Sequence, residues 1–417
     1  MTIHPGGIAN ARYAGVFVLV FCAFAVRLGA QQEKNANQAL PEAQTRATVA
    51  AERTRDDTAA SVLPADEWQR VDEAIERALE WLAGQQQADG SFPSIEIGQP
   101  GVTSLCVMAF LAHGHMPGEG RYGKPLERAT DYVLASQKPS GLVARVGPEG
   151  ASINRGVSHE VGEAAAYNHA IASLMLSEHY GMSHTERSAR IQEVIAKALS
   201  ASLETQRWAK TPEGDRGGWR YVGRPVYGTD SDLSVTGWEL MFLRSARNAG
   251  FDVPKESIDD AVAYIRRCFH EKYGTFLYMQ GKGDQDLRSR AMAGAGILAL
   301  AHAGFHDSPE AKKSADWLLQ YNFNKYNRIE TFEQQWYIDR YHYSLFNSCQ
   351  AMYQLGGLYW EKFYPPAVRT LLDNQQRDGS WQAESHFNDG KFGNAYTTAL
   401  VVMSLGAPNQ FLPIFQR

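Results

Sequence analysis

Two carboxylates one residue apart, Asp230 and Asp232, stand in the string Thr229-Asp230-Ser231-Asp232-Leu233-Ser234, directly ahead of Val235, Trp238, Met241 and Phe242. That apolar spacing is helical, so the acids sit at a helix start. Paired carboxylates in unlike surroundings can keep one member protonated while the other stays charged, which is what general-acid chemistry in a dry pocket requires. The same position suits plain capping. Asp232 or Ser231 would satisfy orphan amides of the first turn, worth about 1 kcal/mol.

Other side chains capable of chemistry or recognition are Tyr167, Asn168 and His169, then Trp238, Trp336 and Tyr337, and the triplet Tyr341-His342-Tyr343. Aromatic faces stabilise cations and grip isoprenoid chains or sugars. At helical spacing they equally well fill a core. His159, Glu160 and Glu163 adjoin a glycine-rich insert, Gly147 to Gly162, and read as solvated loop. The carboxylate pairs Asp259-Asp260 and Asp284 with Asp286 have the composition of a glycosidase site. No spacing singles one out, and they read as solvated surface.

The elements that must hold these groups follow from a repeat. The phrase Arg77-Ala-Leu-Glu-Trp81-Leu82-Ala-Gly-Gln-Gln86-Gln-Ala-Asp-Gly90-Ser-Phe92 returns as Arg128-Ala129, Tyr132-Val133, Gln137 and Gly141, and again as Leu371-Leu372, Gln376, Gly379 and Trp381. Aligned on the residue after the aromatic, six copies fall at Leu82, Val133, Ser202, Ile265, Leu318 and Leu372, spaced 51, 69, 63, 53 and 54 apart. The third copy inserts a long loop before Gly218 and Trp219. The fourth has lost its glutamine, and the fifth its glycine and final aromatic. A period of this size marks a repeat architecture.

Each repeat holds two helices of different character. Val71, Ala74, Ile75, Ala78, Leu79 and Leu82 form an apolar stripe between Asp72, Glu73, Glu76, Arg77 and Glu80, an amphipathic outer helix. Its partner, about Val102 to Ala112, carries no charge, nor do Ala291 to Ala301 and Ala395 to Leu405. Helices apolar on every side must be buried on every side. The expected fold is all-α, a single (α/α)6 toroid with the uncharged helices inside, its first repeat closing on its last. The repeated glycine allows a tight turn, the amide serves orphan backbone groups, and the aromatic covers the turn.

Of the 417 residues, 44% are hydrophobic and 21% charged, enough for one large core. With 41 basic and 46 acidic residues, a formal charge of −5 and no long basic run, nucleic-acid binding is excluded. Residues 1–30 read as an export signal, with Arg12 preceding an apolar stretch from Tyr13 to Val26 and Gly29-Ala30 after it. The expected location is periplasmic, extracellular or envelope-associated. Any membrane contact is then through that segment, left uncleaved. Residues 31–65 read as a disordered linker, which discounts the acid string Asp56-Asp57-Thr58-Ala59, and residues 66–417 as the toroid. Cys106, Cys268 and Cys349 are scattered and read as buried free thiols.

The motif Lys/Arg-Ala-x-x-aromatic-Leu-x3-Gln-x(2 to 3)-Gly-x-Trp/Phe over about residues 66–410 resembles the QW repeat of the prenyltransferase/squalene oxidase superfamily, which holds triterpene cyclases and protein prenyltransferase β subunits. The resemblance implies the toroid but not one function. A zinc prenyltransferase would have Asp-x-Cys with a distant His, whereas Cys349 follows Phe346-Asn347-Ser348 and Cys268 follows Arg266-Arg267. Thioester and lanthipeptide-cyclase motifs are absent, so no metal or cofactor is implied. Squalene-hopene cyclases carry Asp-x-Asp-Asp-Thr-Ala, whose middle acid protonates an alkene. Asp230 and Asp232 match its first two acids, and Leu233 replaces the third. Two functions follow: an exported non-catalytic toroid binding an isoprenoid or other lipid, or an envelope protein; or a terpenoid cyclase with Asp230 and Asp232 as acid and partner. In either, Tyr167, His169, Trp238, Trp336, Tyr341, His342 and Tyr343 are the candidate ligand-binding residues.

Overall fold

The computed structural model describes residues 61–150, 153, 157–181, 186–223, 229–280, 287–330, 339–384, 387–409 and 411–416. The 1–30 segment, the linker up to residue 60, Trp336, Tyr337, Asp284 and Asp286 lie outside the described residues.

Twelve α-helices are found among the described residues, in six hairpins. The outer members are α1 (Ala65–Gln85), α3 (Gly123–Leu134), α5 (Glu186–Gln206), α7 (Lys255–Arg267), α9 (Pro309–Gln320) and α11 (Gly357–Asp373). The inner members are α2 (Gly101–Leu111), α4 (His159–His179), α6 (Leu233–Asn248), α8 (Arg290–His302), α10 (Tyr341–Leu355) and α12 (Gly393–Leu405). Two-residue strands, β1 (Phe269–His270) and β2 (Thr275–Phe276), pair antiparallel in the turn after α7.

The two helix sets behave as their composition dictates. All seven buried residues of α1 are the stripe positions plus Trp68, whereas every residue of α2 is buried. The inner helices pack side by side: α2, α4, α6, α8, α10 and α12 each contact the next, and α12 contacts α2. Of these, α2 and α12 carry no charge, whereas α4, α6 and α8 depart from the uncharged pattern with Glu160, Glu163 and Glu178, with Glu239, Arg244 and Arg247, and with Arg290. The ring is closed. Outside it, α11 meets α1, with Arg369 to Glu67 at 3.0 Å and Arg70 to Asp373 at 3.4 Å across the seam.

The repeated residues act as clasps between neighbouring hairpins. Gln86 Nε2 donates to the Gly90 carbonyl at 3.0 Å and to Pro125 of α3 at 2.8 Å. Gln137 does the same with Gly141 and Val194 of α5, and Gln206 with Gly217 and Ser257 of α7. In the sixth copy the clasp is Gln375, one residue before the expected Gln376; it binds Gly379 and Ala74 of α1, so the last repeat grips the first. The neighbour Gln376 instead accepts from Ser380 Oγ at 2.7 Å, as Gln87 accepts from Ser91. Gly90 has φ +92° and its absent Cβ would overlap the Arg128 carbonyl of α3, so the turn needs glycine for both conformation and space. The closing aromatics are fixed by inner-helix threonines. Phe92, Trp219 and Trp381 amides donate to Thr103, Thr236 and Thr398 Oγ1 at 3.0 to 3.1 Å.

One end of the ring is covered by the final residues. Phe411 N donates to Ala112 O, Ile414 N to Glu178 Oε2, and Gln354 Nε2 to Phe415 O, all at the C-terminal ends of inner helices. The N-terminal ends surround the opening at the other side.

Candidate functional site

At the N-terminal ends of the inner helices lies a cavity of about 550 Å³ that receives side chains from all six of them. Positions from the first to the fourth turn of the helices supply an apolar floor: Leu105 of α2, Ile171 of α4, Trp238 of α6, Met292 of α8 and Leu400 of α12. First turns and adjoining loops supply a charged mouth of Glu160, Glu163, Arg220, Arg340, Asp389 and Lys391. The polarity follows from helix position, because charge is tolerated where the ring opens and not where six helices converge.

The mouth charges are largely committed to one another. Arg340 pairs with Asp389 at 2.6 Å, and Tyr396 donates to the same carboxylate at 3.1 Å. Lys391 reaches Glu160 at 3.3 Å across the opening. Arg220 lies against the Tyr221 ring at 4.6 Å and pairs with Asp232 at 3.2 Å. Tyr221 and Tyr278 hydroxyls are 2.7 Å apart.

Asp232 is the cap of α6, as its position before Val235 implies. Its Oδ1 accepts from Val235 N at 2.9 Å and its Oδ2 takes the Arg220 guanidinium, with the side chain fully buried. Burial pushes its carboxyl up to about 6, against the opposing pull of Arg220. Asp232 does not line the cavity; Arg220 stands between. Asp230 turns elsewhere. Its Oδ2 accepts from Thr211 N at 2.7 Å, and it borders a separate hollow of about 60 Å³ with Lys210, whose ammonium burial lowers to about 8. The two acids therefore face different environments and do not share a proton.

Tyr167, Trp238 and Tyr343 line the cavity together. Tyr167 OH donates to Ser234 Oγ at 2.8 Å, Ser234 Oγ lies 3.0 Å from Tyr343 OH, and the Trp238 ring stacks near Tyr343 and Phe346 at 6.3 and 5.7 Å. His169, Tyr341 and His342 are not among the lining residues. His169 accepts from Val143 N at Nδ1 (3.0 Å) and meets Ser202 Oγ through Nε2 (3.0 Å); burial lowers its pKa to about 4. Tyr341 packs on Phe323 and Tyr326, and His342 reaches the Tyr326 hydroxyl at 3.2 Å, both behind the ring wall. Their alternate spacing on α10 explains the split, since Tyr343 is turned about 200° from Tyr341 at 100° per residue.

Glu160 and Glu163 depart from the solvated-loop reading. The helix begins at His159, capped by Ser158 Oγ on Val161 N at 3.3 Å, and its early turns put both acids into the mouth. The signal was there as Ser158 before an unbroken helical stretch, masked by the glycines upstream. Arg220, Tyr278 and Arg340 come from loops and Asp389 from a short 3-10 helix (Phe387–Phe392), which no periodicity marks. Asp259 and Asp260 are exposed on α7, and Asp259 pairs with Lys255. Cys106, Cys268 and Cys349 are buried free thiols.

No protein-family profile and no curated relative matches the sequence. Solved structures of similar fold include a glycosidase, at 12% identity over 84% of this chain and 100% of the other with a TM-score of 0.53, and a glycosidase in complex with glucose, at 11% identity with the same coverage and TM-score. Another is the type II terpene cyclase MstE of Scytonema in complex with its product merosterolic acid A, at 14% identity over 83% of this chain and 99% of the other, with a TM-score of 0.50. At such identities the likeness concerns fold. The chain has the all-α toroid shared by terpene cyclases and (α/α)6 glycosidases.

Proposed function

We propose that this protein is a non-catalytic binding toroid whose cavity holds an apolar, isoprenoid-like ligand, tail toward the floor and polar end toward the mouth. The reading rests on the cavity's construction: about 550 Å³, within the 300 to 1,000 Å³ usual for ligand sites, apolar below and charged above. A protein partner is less favoured, because only three large hydrophobics, Ile95, Phe305 and Leu358, are exposed among the described residues. The cyclase of similar fold carries merosterolic acid A, a precedent for such a ligand in a toroid. Residues 1–30 fit an export signal, which would bring the toroid to envelope or extracellular lipids.

Against chemistry stands Asp232. An acid that protonates an alkene must be neutral and must touch it, whereas this carboxylate has both oxygens engaged, lies behind Arg220 and is stabilised as the anion by it. The cyclase reading keeps one favourable observation, the raised pKa of about 6 at an inner-helix N-terminus. One experiment separates the two. The purified protein is titrated with farnesol by tryptophan fluorescence and incubated with squalene and geranylgeraniol, followed by product extraction. Saturable binding that Trp238→Ala weakens at least tenfold, without turnover, is the expected result. Turnover that Asp232→Asn abolishes at unchanged melting temperature would establish the cyclase, and neither binding nor turnover would overturn both.

A further inference from the structure

Part way down the cavity wall, between the charged mouth and the apolar floor, three hydroxyls from three inner helices meet. Tyr167 of α4 donates to Ser234 Oγ of α6 at 2.8 Å, and Ser234 Oγ shares a hydrogen bond of 3.0 Å with Tyr343 OH of α10. All three residues line the cavity. Each hydroxyl carries one proton and two lone pairs. Three protons and two mutual bonds leave one proton over, whichever way the Ser234–Tyr343 bond runs. Asn347 Nδ2 is committed to the Tyr343 backbone carbonyl at 2.9 Å, and the Trp238 ring stacks near Tyr343. One proton of the knot therefore has no partner among the three hydroxyls at this point of an otherwise apolar wall, and a donor left unmet carries a penalty that an arriving acceptor relieves.

Resting on the ligand-binding reading above, we propose that the Tyr167–Ser234–Tyr343 knot is an oxygen-recognition subsite: the ligand is an oxygenated isoprenoid, with a hydroxyl or carbonyl accepting the spare proton, rather than a hydrocarbon. The cations that border the cavity already have carboxylate partners. Arg220, Arg340 and Lys391 are each held by Asp232, Asp389 and Glu160. The subsite itself offers a hydroxyl proton, which suits a neutral oxygen acceptor.

The test compares farnesol with β-farnesene, chains of equal carbon number differing in the oxygen, by competition for a bound fluorescent probe on the full chain. Wild type is expected to prefer farnesol by about three- to tenfold, the size of one net hydrogen bond. The triple variant Tyr167→Phe/Ser234→Ala/Tyr343→Phe, which removes every proton of the knot, is expected to lose that preference by weakening farnesol while leaving β-farnesene affinity within about twofold. Each replacement removes one oxygen and keeps both rings, and unchanged β-farnesene affinity shows that the cavity remains folded. Equal affinity for both compounds in wild type, or a preference unchanged in the triple variant, would overturn the subsite while leaving the binding reading intact. Binding of neither compound would instead strike the binding reading itself.

Discussion

His169, Ser202 and Glu239 form a buried relay whose protons can be assigned by counting donors. Val143 N donates to His169 Nδ1, so the imidazole proton sits on Nε2 and points at Ser202 Oγ, which donates in turn to Glu239 Oε2 at 2.7 Å. Burial lowers His169 to about 4 and raises Glu239 to about 8, and Glu178 is raised to about 7 in the same way. The signs oppose. For Glu239 and Glu178 the folded state holds its proton where the unfolded chain has lost it, so their contribution is complete below about pH 4.5 and is lost as pH rises toward 8. For His169 the contribution is complete above about pH 6.5 and is lost as pH falls toward 4. Melting temperature should therefore decline from about pH 6 to 9, and Glu239→Gln, neutral at every pH, should flatten that decline. A variant whose melting curve tracks wild type across this range would refute the assignment.

At the scale of elements, the repeat survives because each turn must seat on the next outer helix. Gly90 shows this most directly, with a left-handed backbone and a Cβ position that runs into the Arg128 carbonyl. Gly274, in the fourth repeat that lost its glutamine, has φ +64° but open space around its Cβ position. The two substitutions separate conformation from packing. Gly274→Ala should cost about 1 kcal/mol, the left-handed penalty alone. Gly90→Ala should cost at least about twice that, since α3 must also retreat. Urea denaturation of both variants measures the difference, and equal costs would show that the turn does not bear on the neighbouring helix.

For the whole molecule, closure changes how damage spreads. An open solenoid loses repeats from its ends in nearest-neighbour fashion. Here α12 packs on α2 and Gln375 ties the sixth turn to Ala74, so there is no free end among the hairpins. Gln375→Ala leaves the Ala74 and Gly379 carbonyls without this donor, a loss of about 1 to 3 kcal/mol. It should lower the melting temperature as one transition, with amide exchange accelerating around the whole ring. Exchange confined to α1 and α11 would indicate that the seam opens independently.

The sequence by itself determined the hairpins and their number, and for helices such as Gly101–Leu111 and Gly393–Leu405 which member faces inward, because an uncharged helix has no stable place except a shared interior. It also marked Asp232 as a cap, since capping is decided within four residues. It could not divide Tyr343, in the cavity, from Tyr341 and His342 behind the wall, because the orientation of α10 is set by packing against α8 and α12. Nor could it bring Arg220 onto Asp232, or Tyr167, Ser234 and Tyr343 together, because those meetings join residues from separate repeats. Local spacing fixes which residues form a helix; only closure of the ring, which sets each helix's rotation about its own axis, decides which of its side chains share a cavity.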